Sequence, residues 1–140
     1  MKPLLHAKIS ANKFGGSPED YIEIHNWFDS TKAHVADARH RIILHNAFGI
    51  FLCEQTFGEI VRKHDGSYVR MPYITNSIGK QISVRDIAEQ HVLDDMGCIP
   101  SLSDVLDKVG IIDESIVGGI KAKKAIVKMK IDPNNMIMVD

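Results

Sequence analysis

Cysteine is scarce. Cys53 and Cys98 are the whole supply in 140 residues, one inside an apolar run and one beside a Gly and a Pro, so neither has the spacing of a thiolate metal site. Reduced thiols in a cytoplasmic protein are the expectation. An excess of either charge is also missing. Seventeen basic side chains against eighteen acidic ones leave a formal net charge of -1, which gives no global electrostatic footprint for nucleic acid or for an anionic membrane. No segment reaches the roughly 18 apolar residues needed to span a bilayer. The opening MKPLLHAKISANKF has too short an apolar stretch for a signal peptide. Walker loop, dinucleotide fingerprint, HExxH, consecutive His-Asp pair and paired Glu-x-x-His motif are all missing, and no Ser lies in a nucleophile elbow. The composition, 44% hydrophobic and 25% charged, is that of one globular domain.

Histidine, by contrast, is present seven times. A neutral imidazole ligates metals and trades protons near neutral pH, so interior histidines matter more than their number. The hydrophobic pattern therefore decides which of them count.

The stretch to Gly16 reads as polar and loop-like. Ser17 and Pro18 then form a helix start, and a helix over about Pro18 to Phe28 puts Tyr21, Ile24 and Phe28 on one face with His25 at its margin. Asp29, Ser30 and Thr31 resemble a second start, with oxygen-bearing side chains placed to satisfy free backbone donors. From about Ser30 to Thr56 the pattern predicts a long central helix. Its second half, Ile42 to Cys53, is apolar on all sides and so is expected to be buried. Along one stripe of that helix lie His34, Asp37, Arg41 and His45, continued by Phe48 and Leu52. His40 points off the stripe, and His6 and His64 fall in segments that read as exposed loops.

Beyond Gly58, Ile60-Val61 and Tyr68-Val69 flank a turn at His64 to Ser67, and a second short hairpin turns around Ile78 to Lys80. Ser83 caps a helix over about Val84 to Met96, closed by Gly97. Val84, Ile87, Ala88 and Val92 form its apolar face; His91 points from the middle of it. Asp95 lies one turn on, with Asp94 at the edge. A short helix follows over Ser101 to Val109. Alternation from Ala125 to Ile131 and the run Met136 to Val139 predict a C-terminal hairpin, whose Lys121, Lys123, Lys124, Lys128 and Lys130 read best as a solvated, edge-protecting face.

The fold class is accordingly α+β and mainly helical: a long buried central helix packed by two or three shorter ones, with small β-hairpins including one at the C-terminus. A single domain is expected over 1–140, with a helical core at 1–109, a hairpin insertion at 59–83 and a C-terminal extension at 110–140.

The runs IHNWFDSTKAHVADARHRIILHNAFGIFLCEQTFG and ITNSIGKQISVRDIAEQHVLDDMGCIP resemble a family of small, functionally uncharacterised proteins found in bacteria and their phages. The similarity covers roughly residues 5 to 107. Glu59 to Tyr73 looks like an insertion relative to a shorter family hairpin. The resemblance implies that the cytoplasm expected from the thiols is that of a bacterial or phage-infected cell, and it transfers no activity.

From the residues themselves, the sharper expectation is a metal site. His25, His45 and His91 supply nitrogen ligands, and Asp37, Asp94 and Asp95 supply oxygen ligands or orient the rings. Such a mixture suits zinc, iron or manganese better than calcium or magnesium. Lys32, Arg39 and Arg41 are the candidates to hold an anion such as phosphate, which makes metal-assisted hydrolysis of a phosphate-containing substrate the reaction to test. The alternative is a non-enzymatic structural or interaction protein, a homo-oligomer or a component of a phage or bacterial assembly, with a buried His/Asp/Arg network. In it Asp37 pairs with Arg41, Asp95 with His91 and His45 with a backbone carbonyl or water, fixing helix register without chemistry. Self-association through the C-terminal hairpin belongs to that alternative.

Overall fold

A computed structural model describes residues 1–109. Met1–Leu102 forms one compact unit, and it contains every element up to helix α5. The final described helix, α6 (Leu102–Val109), falls almost wholly in the second unit. The expected C-terminal hairpin, with its lysine cluster, lies outside the described residues.

The fold is α+β and mainly helical, with two small antiparallel hairpins among the described residues. The expected N-terminal loop is instead helix α1, Pro3–Phe14. Pro3 suits the first helical position, where no backbone donor is needed. Ala7 is buried and Ala11 and Phe14 pack at the core margin, but His6 and Ser10 share the buried face. Polar side chains on the inward stripe hide this helix from a hydrophobic reading. Gly15 and Gly16 end it at φ +92° and +79°, a region that side-chain-bearing residues rarely adopt.

A single 3-10 turn, Pro18–Asp20, leads into α2 (Ile22–Asp29). Tyr21, Ile24 and Phe28 are buried as expected, and His25 and Asp29 join them.

The long helix expected over Ser30 to Thr56 is broken twice. Ser30–Ala33 and Ala38–His40 are 3-10 turns, α3 is the single turn Arg41–Leu44, and α4 runs Ala47–Phe57. The second break lies at His45 and Asn46, where the chain turns extended. Asn46 stabilises both sides of it: its amide donates to the Ile42 and Ile43 carbonyls at 3.0 and 3.2 Å, and its Oδ1 accepts from Gly49 N–H at 2.9 Å. One side chain thus closes α3 and caps α4. Gly49 allows the close approach, since a Cβ there would overlap the Leu44 carbonyl. The break also defeats the expectation of a buried cylinder, because Ile42, Ile43, Phe48 and Phe51 are exposed. His34, Asp37, Arg41 and His45 accordingly share no helical stripe.

Strand β1 (Ile60–Arg62) pairs with β2 (Tyr68–Arg70), and β3 (Tyr73–Thr75) with β4 (Gln81–Ser83). Glu59 and Met71 join the first hairpin through a 2.7 Å backbone hydrogen bond. Asn76 holds the second turn, its Oδ1 accepting from Ile78 and Lys80 N–H groups and its amide donating to the Tyr21 hydroxyl. Helix α5 spans Val84–Met96 as expected: Ser83 Oγ accepts from Asp86 N–H, and Gly97 closes it at φ +75°. Val84, Ile87, Ala88 and Val92 have no exposed surface. Full burial of a Val- or Ile-sized side chain stabilises by about 1.5–3 kcal/mol, so α5 is firmly anchored. The core thereby fixes the face from which His91 projects.

Candidate functional site

Four elements deliver polar side chains to one buried place. Helix α1 brings His6 and Ser10, α2 brings His25 and Asp29, the break after α3 brings His45, and α5 brings Gln90, His91 and Asp95. Two inward histidines on adjacent helices are ordinary core residues, but these meet through their nitrogens. His91 Nε2 lies 3.1 Å from His45 Nε2, and Asp95 Oδ2 stands 3.2 Å from the first and 3.0 Å from the second. Asp29 Oδ1 closes the group at 3.5 Å from His91 and 3.7 Å from His45. One atom from each of the four residues lies within 4.8 Å of all the others.

These spacings have chemical meaning. A tetrahedral ion with ligand bonds of about 2.0 Å separates its ligand atoms by about 3.3 Å. The five distances above bracket that value. Ring orientation agrees, because the His45 and His91 planes are inclined by 59° and both rings can direct an edge nitrogen to one point. His6, His25 and His91 also bring ligand atoms together, but the His6 ring is stacked on His91 at 3.9 Å between centroids. A ligated ion lies near each imidazole plane, and stacked planes do not converge on one.

The environment is apolar outside this polar knot. Phe28 stacks on His91 with centroids 4.8 Å apart and meets His45 edge-on at 5.6 Å. Burial holds the His45 imidazole below its ordinary value, against the opposing hydrogen bond to Asp95. Burial likewise pushes His25 down to about 3, helped by the neighbouring His91 and His6. For His91 burial works in the same direction, but hydrogen bonds with Asp29 and Asp95 outweigh it and the net shift is upward. Burial raises Asp95 and Asp29, yet the facing histidines win and hold both carboxyls below the usual range. The centre is therefore built around two carboxylates that need positive charge beside them.

Each residue singled out in the sequence has a definite place. His45, His91 and Asp95 are in the cluster, and His25 abuts it with its Nδ1 at 2.8 Å from His91 Nδ1. Asp94 is exposed and accepts from the Gln90 amide at 3.1 Å. Asp37 is exposed too. It caps the turn at Ala38 and pairs with Arg39 at 2.8 Å, not with Arg41, so both Asp37 and Arg39 are engaged apart from the cluster. Arg41 approaches Asp95, donating to its backbone carbonyl at 3.3 Å with a second nitrogen 3.8 Å from Oδ1, and its buried Nε has no hydrogen-bond partner. Lys32 sits 3.6 Å from Asp29 Oδ2. His34 and His64 are exposed.

Three residues escaped the sequence reading. Asp29 looked like a helix cap, but no backbone donor takes its side chain. His6 is fully buried, 3.1 Å from Asp95 Oδ1. His40 is buried as well, with Nδ1 2.8 Å from Thr31 Oγ1 and its ring edge-on to His45. The sequence signal for His6 is its i, i+4 relation to Ser10, a polar pair on one face of helix α1.

This is a small α+β protein whose interior is organised around histidines and aspartates. The chain belongs to the family described as Domain of unknown function (DUF6915), whose model matches residues 1–113. Neither a curated protein nor a solved structure matches it.

Proposed function

We propose that Asp29, His45, His91 and Asp95 hold one divalent transition metal, and that the centre serves metal-assisted hydrolysis of a phosphate-containing substrate. The observation that carries this reading is the convergence of two imidazole Nε2 atoms, 3.1 Å apart, on two carboxylate oxygens. Two nitrogen and two oxygen donors suit zinc, iron or manganese. Such an ion would supply an activated water and polarise a phosphoryl oxygen if it takes a fifth ligand or if Asp29, the most distant donor at 3.5 and 3.7 Å, yields its position. Arg41 is the cation best placed to receive an anion there, since its Nε–H is buried and unpartnered and its guanidinium already borders Asp95. Asp29 Oδ2, buried and without a hydrogen bond, faces the Lys32 ammonium at 3.6 Å and so keeps a second cation beside the centre.

A cytoplasmic setting in a bacterial or phage-infected cell is part of the proposal, supported by the resemblance and by two free cysteines. The competing reading is a structural network closed by a proton. The upward shift of His91 favours it, because an imidazolium between Asp29 and Asp95 also balances their charge.

Elemental analysis of full-length protein purified without chelator separates the two. One equivalent of zinc, iron or manganese, lost in His45→Ala and His91→Ala variants that retain their fold, is the expected result. A metal-free, folded wild type that takes up none of these ions on addition overturns the metal centre and leaves the proton-closed network.

A further inference from the structure

His91 has a second nitrogen, and what it touches is specified over three further residues. Its Nδ1 is 2.8 Å from His25 Nδ1; His25 Nε2 is 2.7 Å from Ser10 Oγ; and Ser10 Oγ is 2.5 Å from Gln90 Oε1. Gln90 Nε2 faces the His6 carbonyl at 3.2 Å and Asp94 Oδ2 at 3.1 Å. Every side chain in this chain except Asp94 is buried.

Donor counting gives the chain a direction. The His6 carbonyl and the Asp94 carboxylate only accept, so the NH2 end of Gln90 must face them and its oxygen must face Ser10. Ser10 owns one hydroxyl hydrogen, which the His6 carbonyl, Gln90 Oε1 or a bare His25 Nε2 could accept; the 2.5 Å oxygen-to-oxygen contact with Gln90 decides, because only the Ser10 hydrogen can bridge it. Having spent that hydrogen, Ser10 accepts, and His25 Nε2 must be the N–H that donates to it. A singly protonated His25 then has a bare Nδ1, which requires a hydrogen on His91 Nδ1. Neutral His91 is left with its lone pair on Nε2, the atom aimed at His45, Asp29 and Asp95.

We infer that the chain Gln90–Ser10–His25 fixes His91 as the Nδ1–H tautomer, making Ser10, His25 and Gln90 positioning residues for the metal ligand His91. The tautomer assignment stands on the hydrogen bonds alone, whereas its consequence for affinity rests on the metal centre proposed above. A ligating imidazole is ordinarily held by a partner on its other nitrogen, and loss of such a partner weakens metal binding by roughly 10–100-fold. Here that partner is another histidine, which is neutral and can reverse. Removing the Ser10 hydroxyl frees His25 to protonate on Nδ1. His91 Nδ1 must then accept, and its hydrogen moves to Nε2, where the ion binds.

Nitrogen-15 NMR of the full-length protein reads the ring nitrogens directly. In metal-free wild type, His25 is expected to carry its hydrogen on Nε2 with Nδ1 bare. After addition of zinc, His91 is expected to be protonated on Nδ1 only. Ser10→Ala is expected to lower zinc affinity at least about tenfold while Ser10→Thr, which keeps the hydroxyl, restores most of it; thermal melts of both confirm the fold. A His25 protonated on Nδ1 or on both nitrogens in the wild type overturns the inference, whether or not Ser10→Ala folds. So does unchanged zinc affinity in a folded Ser10→Ala protein. Wild type that binds no zinc overturns the metal centre instead, and the His25 tautomer then decides the chain by itself.

Discussion

The Nε2 atoms of His45 and His91 lie 3.1 Å apart, and each also faces Oδ2 of Asp95. Two bare lone pairs at that separation, next to carboxylates, repel one another. A ring hydrogen or a metal ion has to sit between them, and the two choices respond differently to pH.

For chelator-treated protein the linkage runs in both directions. His25 is depressed to about 3 in the fold from an ordinary 6.5, so the unfolded chain takes up its proton first as pH falls. Stability is lost from about pH 6.5 downward, on the order of 3–5 kcal/mol from this group by pH 3, and His45 shifts the same way. His91 has the opposite sign: raised in the fold, it contributes below 6.5 and its contribution disappears as pH rises through its elevated value. Metal-free protein should therefore melt at lower temperature on both sides of neutrality, with the alkaline loss removed by added zinc. Melting temperature against pH, with and without zinc, tests this; an alkaline limb that zinc leaves unchanged contradicts it.

Asp29 and Asp37 give a second discrimination. Both are aspartates next to a helical turn, but Asp29 is 8% exposed and faces two histidines, whereas Asp37 is exposed and held by Arg39. Asp29→Asn should weaken zinc binding by about 1.4 kcal/mol or more, a factor of ten, and Asp37→Asn should leave it unchanged. Competition with a chromogenic chelator measures both. Equal effects, or the reverse order, would remove Asp29 from the ligand set.

How far the sequence discloses this arrangement varies by element. Helix α5 is legible end to end, because Ser83, the apolar face and Gly97 agree, and His91 and Asp95 follow from its periodicity. Both hairpins follow from turn residues. The N-terminal helix is not legible, since His6 and Ser10 occupy the stripe where a core helix normally carries aliphatic residues. The break before α4 is hidden for another reason. Asn46 and Gly49 look like tolerated interruptions of an apolar run, and only the chain's return onto Leu44 shows that they end one helix and begin the next. Asp29 is visible as a residue but not in its role, since helix capping and burial beside histidines use the same side chain.

The cysteines differ as sharply as the aspartates. Cys53 is fully buried on α4 and burial pushes its thiol up to about 12, while Cys98 is exposed. Thiolate is the reactive form. One equivalent of a colorimetric disulfide reagent should react in the native protein and two in denaturant, with Cys98→Ser abolishing the native reaction. Rapid native modification of Cys53 would mean that α4 opens readily.

The turn between α3 and α4 sets the position of His45, so its energetics bear on the site. Gly49→Ala places a methyl group into the Leu44 carbonyl. Backbone cannot rotate aside as a flexible side chain does, and the cost should reach about 3 kcal/mol, the upper end for overpacking. Asn46 admits a finer cut. Asn46→Ala removes the cap on Gly49 N–H and both donors to Ile42 and Ile43, whereas Asn46→Ser keeps a cap acceptor and loses the donors. A lost N-cap costs about 0.5–2 kcal/mol, so urea midpoints should fall in the order wild type, Asn46→Ser, Asn46→Ala. Because His45 leads directly into Asn46, zinc affinity should fall in the same order. Stability lost without any loss of affinity would show that the imidazole is held in place by Asp95 and Phe28 alone.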